Sequence, residues 1–246
     1  MTRVKTIFAA ATLGAMVAIP AAGSASTYQA NLVELNNSGV SGTVTFMLDK
    51  VNNLLNVSAR VMGLDANMPH INHIHGRFNE DGTPLQSELP KPDLDADGDG
   101  FVEVLEAAPA YGDILLSLEA GLARPSNDPS KVHSGPKADE NGMVSYDLSF
   151  DLLDDSIFFS PVSGMNYEAD DIFPLNLREY VIHGLFVPAG VRVDKDGNPL
   201  GAGYDATMPV AAAVIAPVPV PAAGLLLLGG LGALGAVRRR RQAAAA

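Results

Sequence analysis

Between Gly42 and Val61, apolar side chains recur at every second position on both sides of a short polar turn. Val44, Phe46 and Leu48 precede the turn Asp49 to Asn53, and Leu55, Val57, Ala59 and Val61 follow it. A period of two places each set on one face of an extended strand, whereas a helix would scatter them around its axis. The segment therefore predicts an antiparallel hairpin with one apolar face, which needs a second layer to cover it. Further strands are expected at Tyr28–Leu35, Ile71–His75, Asp113–Leu118, Met143–Phe150, Tyr180–Phe186 and Met208–Ile215, separated by Gly, Pro, Asn and Asp. That pattern predicts an all-β fold, an antiparallel sandwich or open barrel. The stretches 76–112 and 120–141 are polar and proline-rich, and read as loops on the sandwich.

Within the first of those loops, Asp95 to Glu106 reads DADGDGFVEVLE. Aspartates fall at positions one, three and five, glycine at six, an aliphatic residue at eight and glutamates at nine and twelve, the ligand pattern of an EF-hand calcium loop. Calcium takes six to eight oxygens, so a tight curl presenting carboxylates from alternate residues suits it. The expected ligands are the side chains of Asp95, Asp97 and Asp99, the backbone carbonyl of Phe101, Glu103 directly or through water, and Glu106 with both oxygens. The alternative is a solvated acidic turn. Pro84, Pro90 and Pro92 oppose an incoming helix, and an outgoing one is expected from near Phe101 to about Ala108, where Pro109 and Gly112 stop it. A lone loop without a helix pair suits structural calcium better than a sensor.

Both ends read as addresses. Arg3 and Lys5 precede an apolar run from Ile7 to about Ala22 and then Gly23-Ser24-Ala25, so residues 1–25 are expected to be a signal peptide removed by signal peptidase. At the other end, Val218-Pro219-Val220-Pro221-Ala222 leads into an apolar run to Val237 and then Arg238 to Arg241. This tail, within 217–246, resembles the VPLPA variant of the PEP-CTERM sorting class, with Val220 where the variant's name has leucine. The resemblance implies a hydrophobic C-terminal helix, recognition by an exosortase-type membrane protease, and delivery to the cell surface or extracellular matrix. A plain membrane anchor is the alternative. Six of the 16 basic residues lie in these ends and all 28 acids between them, which leaves the body at −18. Such a body disfavours nucleic acid and anionic membranes as partners, with membrane contact confined to the terminal segments. With no cysteine in the chain, the body 26–216 relies on its core and on any bound metal.

The hairpin GTVTFMLDKVNNLLNVSARVMGL, followed by HINHIHG and later by YVIHG, is similar to the CHRD domain, named for its occurrence in chordin. The resemblance covers roughly Tyr28 to Val214, with the acidic segment after His75 as an addition. It implies an immunoglobulin-like or superoxide-dismutase-like sandwich with a binding or structural role, on which the calcium loop read from its own spacing is an insertion. His73 and His75, two apart on a strand, point the same way and His70 the opposite way. With His183 delivered by a neighbouring strand they can form a three-nitrogen copper or zinc site. The competing reading is that they bond backbone groups at a sandwich edge, and His133 belongs to a loop.

No G-x-S-x-G elbow, H-E-x-x-H pair or phosphate-cradling loop occurs in the sequence. The clustered Asp151, Asp154 and Asp155 read as a solvated turn. The sequence thus describes a non-enzymatic, secreted, calcium-binding structural or adhesive protein of the bacterial envelope or exopolymer matrix, with polysaccharide or another surface protein as partner. The rival is an extracellular or periplasmic dismutase-like copper or zinc enzyme built on the three histidines.

Overall fold

The computed structural model describes residues 25–118, 135–193, 196–219 and 222–244. Residues 1–24 of the expected signal peptide, His133 and most of the second loop lie outside them.

The predicted hairpin forms as β3 (Ser41–Asp49) and β4 (Leu54–Met62), in register from Ser41 opposite Met62 to Asp49 opposite Leu54. It is the centre of a five-stranded antiparallel sheet completed by β1 (Ser26–Asn31), β8 (Val144–Asp151) and β11 (Ala216–Pro217), in the order β11-β1-β3-β4-β8. The second sheet runs β2-β10-β9-β5-β6, from β2 (Val33–Glu34), β10 (Gly203–Val214), β9 (Glu179–Val187), β5 (Asn72–Phe78) and β6 (Pro84–Leu85). A further strand, β7 (Asp113–Ser117), also pairs with β5. The all-β sandwich read from the alternation is the architecture observed.

Apolar residues of both sheets meet between them. Val44, Phe46, Leu48, Leu55, Val57, Ala59 and Val61 are at most 1 % exposed. Ile74, Leu116, Tyr180, Ile182 and Val210 come from the facing sheet into the same cluster. Phe46 and Tyr180 touch edge to face with ring centroids 6.5 Å apart, and the Tyr146 hydroxyl donates to Asn72 Oδ1 at 2.6 Å. Aromatic contacts of this geometry add to the stabilisation that area burial provides.

Several boundaries differ from the expected ones. Tyr28–Leu35 is not one strand: β1 pairs with β3 in the first sheet and β2 with β10 in the second, so the chain changes sheet at Leu32. The stretch 76–112 is not simply loop, since it holds β6 and α1 (Val104–Tyr111). Pro109 lies inside α1 and does not end it, because a proline in the last turn forfeits only one helical bond. The end comes at Gly112, whose N–H donates to the Ala108 carbonyl at 2.8 Å. Val102, Ala107 and Tyr111 pack on Val181 and Ala212, so α1 covers the outer face of the second sheet with a small apolar cluster of its own.

The body also runs past residue 216, since β11 pairs with β1 and the Val218 N–H donates to the Thr27 carbonyl at 2.9 Å. Of the expected sorting motif, Val218 is thus still bonded to β1, Pro219 follows it, Val220 and Pro221 lie outside the described residues, and Ala222 opens α2 (Ala222–Ala244). Among the described residues no helix is long and apolar enough to cross a membrane. The expected hydrophobic terminal helix is therefore not found among the described residues, and α2 passes from its apolar stretch into Arg238 to Arg241.

Candidate metal centre

Strands β5 and β9 run antiparallel with His73 opposite Val181, Ile74 opposite Tyr180 and His75 opposite Glu179. Directly opposed residues share a face, and successive residues alternate. Ile74, Tyr180 and Ile182 therefore point into the sandwich, and His73, His75, Glu179, Val181 and His183 point outward beneath α1. The three histidines gather there. Ring centroids lie 5.5 Å apart for His73 and His75, 5.4 Å for His73 and His183, and 6.1 Å for His75 and His183. Each offers a ring nitrogen within 4.8 Å of the other two, close to the span that two metal–nitrogen bonds of about 2.0–2.1 Å bridge. None of the three is more than 3 % exposed.

Backbone carbonyls orient two of the rings. His75 Nδ1 donates to the Gly112 carbonyl at 3.0 Å and His183 Nδ1 to the Thr207 carbonyl at 2.7 Å. A carbonyl only accepts, so Nδ1 carries the hydrogen and each Nε2 keeps its lone pair. Both Nε2 atoms are buried without a hydrogen-bond partner among the described residues. Burial first, and then the repulsion that a protonated His183 would exert, lowers the His75 pKa to about 3, and burial lowers that of His183 to about 4. Both rings are neutral at neutral pH. Neutral imidazoles with the far nitrogen fixed by an outer hydrogen bond are the form in which histidine binds metals.

Two glycines explain the His-Gly pairs that the sequence repeats. A Cβ on Gly76 would lie 2.5 Å from Leu115 Cδ1, so the residue after His75 leaves room for the core beneath the site. Gly184 has φ +112°, and a Cβ there would lie 2.0 Å from the Tyr204 hydroxyl oxygen and 2.8 Å from His70 Nδ1. His70 itself is no member of the cluster. Its ring nitrogens lie 3.0 and 3.1 Å from the carbonyl oxygens of His183 and Asp65, which is the backbone-bonding role weighed for all the histidines.

The acidic loop lies at the other end of α1. Carboxylate oxygens of Asp95, Asp97 and Glu106 lie within 4.8 Å of one another, as do those of Asp97, Asp99 and Glu103. The curl is held by Asp95, which accepts from the N–H groups of Gly98 at 2.8 Å and Gly100 at 2.9 Å, and by Asp99, which accepts from that of Phe101 at 2.9 Å. Glu106 accepts from the N–H of Ala96 at 2.7 Å and of Glu103 at 3.2 Å, closing loop and helix start together. Glu103 is pushed up to about 8 by burial first and then by its bond with Glu106, whose own pKa is lowered by that bond. The expected side-chain ligands thus converge in two overlapping groups. Phe101 adds only backbone.

Four participants were not legible in the sequence. Tyr111, 2 % exposed, lies over His75 with ring centroids 4.4 Å apart. The carbonyls of Gly112 and Thr207 carry no sequence signature at all. Glu179 is wholly buried, neither carboxylate oxygen has a hydrogen-bond partner among the described residues, and burial, with Glu88 as a second cause, raises its pKa to about 9.

No protein-family model matches the chain, and no curated protein matches it. Among solved structures, Candida albicans superoxide dismutase 5 in its Cu(II) form aligns at 14 % identity with a TM-score of 0.36, over 80 % of this chain and 94 % of that chain. A likeness that slight bears on neither chemistry nor ancestry.

Proposed function

We propose that this protein is a β-sandwich that holds one transition-metal ion, zinc or copper, at His73, His75 and His183. The observation that carries the reading is the pair of buried Nε2 atoms on His75 and His183, unpartnered among the described residues, each on a ring whose Nδ1 is anchored to a backbone carbonyl and which offers a nitrogen within 4.8 Å of one of His73. Leaving such groups dry and unbonded costs about 1–3 kcal/mol each, which a bound cation offsets. A catalytic metal keeps an open position for water or substrate, whereas these ligands lie under α1 and are nearly without exposure. The ion is therefore held, not offered to a substrate, and the protein is a binding or structural component and not a dismutase-like enzyme.

The test is the metal content of the purified full chain, followed by zinc titration after chelator treatment. About one ion per chain, lost in His75→Gln and His183→Gln, is the expected result. A chain that takes up neither zinc nor copper defeats the reading.

A second reading rests on the convergence of Asp95, Asp97, Asp99, Glu103 and Glu106, and assigns calcium to the acidic loop. The two ions serve one molecule, a surface or matrix protein whose acidic body and sorting-type tail fit an adhesive role toward polysaccharide or a surface protein. A calorimetric calcium titration of the full chain beside an Asp95→Ala/Glu106→Ala variant decides the calcium part. Association of the calcium-loaded protein with cell-surface material decides the adhesive part.

A further inference from the structure

Glu179 occupies an unusual place. It is the first residue of β9 and the cross-strand partner of His75, and alternation puts both side chains on the outer face with His73 and His183. It is 0 % exposed, and neither oxygen meets a donor among the described residues. Arg178, the adjacent cation, is spent elsewhere: it donates to the carbonyls of Arg77, Asp171 and Phe173 and its guanidinium lies 4.7 Å from the Phe78 ring centroid. The neighbouring groups, Tyr111 above and Glu88 beside it, bring no positive charge. A carboxyl group buried this way is costly for the protein unless a cation shares the site.

The histidines have the complementary need. Three neutral imidazoles leave a divalent ion with its full double charge in a dry site, and burying an uncompensated charge is expensive. A carboxylate on the same face halves that net charge.

We propose that Glu179 is the charge-balancing partner of the histidine centre, placed by strand register beside His75 so that the site favours a divalent ion over a monovalent one. This inference rests on the histidine-metal reading. Glu179 acts through the field it sets at the ion and is a positioning residue in that sense, since Coulomb energy scales with the charge of the ion it faces.

The experiment compares zinc(II) and copper(I) affinities of the full chain, by chelator competition under anaerobic reducing conditions for copper. The proteins are wild type, Glu179→Gln and Glu179→Asp. Glu179→Gln is expected to weaken zinc(II) at least tenfold, with the logarithmic loss for copper(I) about half as large, as the halved charge requires. Glu179→Asp, which keeps the charge, recovers most of the zinc affinity. The metal-free Glu179→Gln protein is expected to melt no lower than wild type, because it loses an unpartnered buried acid. Equal losses for both ions, no loss, or an aspartate variant as weak as the glutamine one would overturn the inference and leave the histidine site standing. A wild-type chain that binds neither ion would remove both.

Discussion

Tyr111 closes α1 and lies with its ring centroid 4.4 Å from that of His75, while the next residue's carbonyl accepts the His75 Nδ1–H at 3.0 Å. One turn of chain thus both covers the ring and sets its tautomer. The Tyr111 hydroxyl donates back to the Val104 carbonyl at 3.1 Å, tying the lid to its own first turn. Tyr111→Ala is expected to cost about 3–5 kcal/mol, the range for emptying a buried aromatic site. Tyr111→Phe should cost only about 1 kcal/mol for the lost hydrogen bond. Urea denaturation of the metal-free proteins measures both, and a smaller loss for alanine than for phenylalanine would contradict the packing described.

The buried histidines make a pH prediction. In the unfolded chain they titrate near 6.5, and in the fold burial lowers His75 to about 3 and His183 to about 4. Between those values the unfolded state binds more protons than the native state. Their contribution is therefore fully present above pH 6.5 and is lost as the pH falls toward 4. Each group contributes a slope of about 1.4 kcal/mol per pH unit. In the metal-free protein, His183→Gln is expected to flatten the stability profile between pH 6.5 and 4 relative to wild type. Denaturation midpoints across that range decide it, and parallel profiles would mean that the ring is not buried neutral.

How far this was readable from the chain differs by residue. His73 and His75 declare themselves by their i, i+2 spacing, and His183 by a second His-Gly pair on a later strand. Strand period fixes which way a side chain points, so these were accessible. Pairing register is not written in any local pattern, and the opposition of His75 and Glu179 depends on it. Glu179 also lies one residue before the expected start of its strand, where it reads as a polar boundary. The lid was hidden for another reason. Pro84, Pro90, Pro92 and Pro109 mark 76–112 as loop, yet only Pro109 falls in the helix, and its last turn tolerates it. The break in Tyr28–Leu35 is similarly tertiary, because the second half of that run finds its partner in β10.

Glu106 serves loop and helix together. It accepts from Ala96 and Glu103 and forms a capping box with Glu103 at the start of α1. Glu106→Ala should therefore destabilise the calcium-free protein by about 0.5–2 kcal/mol through the cap alone. If the loop binds calcium as proposed, wild type should melt higher with the ion than without it, and Glu106→Ala should abolish that rise. Thermal melts with calcium and with chelator separate the two effects. A calcium-dependent rise that survives in Glu106→Ala would move the ion away from this loop.

Gly184 permits the most direct test of how the backbone sets the site. Its φ of +112° is one that side chains rarely adopt, and a methyl group would strike the Tyr204 hydroxyl and His70. That hydroxyl donates to the Pro69 carbonyl, and His70 Nδ1 lies 3.0 Å from the carbonyl oxygen of His183. Gly184→Ala must therefore push on both groups that steady the strand next to the proposed ligand His183. A backbone held in such a region costs about 1–3 kcal/mol, and the steric conflict adds to it. Tyr204→Phe alone should cost about 1 kcal/mol by losing its hydrogen bond. In the Gly184→Ala background the same change removes the atom that clashes most closely, so it should cost less or restore stability. The double-mutant cycle then shows a coupling of at least 0.5 kcal/mol, as expected for residues in contact. Additive effects would mean that the strand moves aside and carries His183 with it, in which case zinc affinity, and not stability, would register the loss.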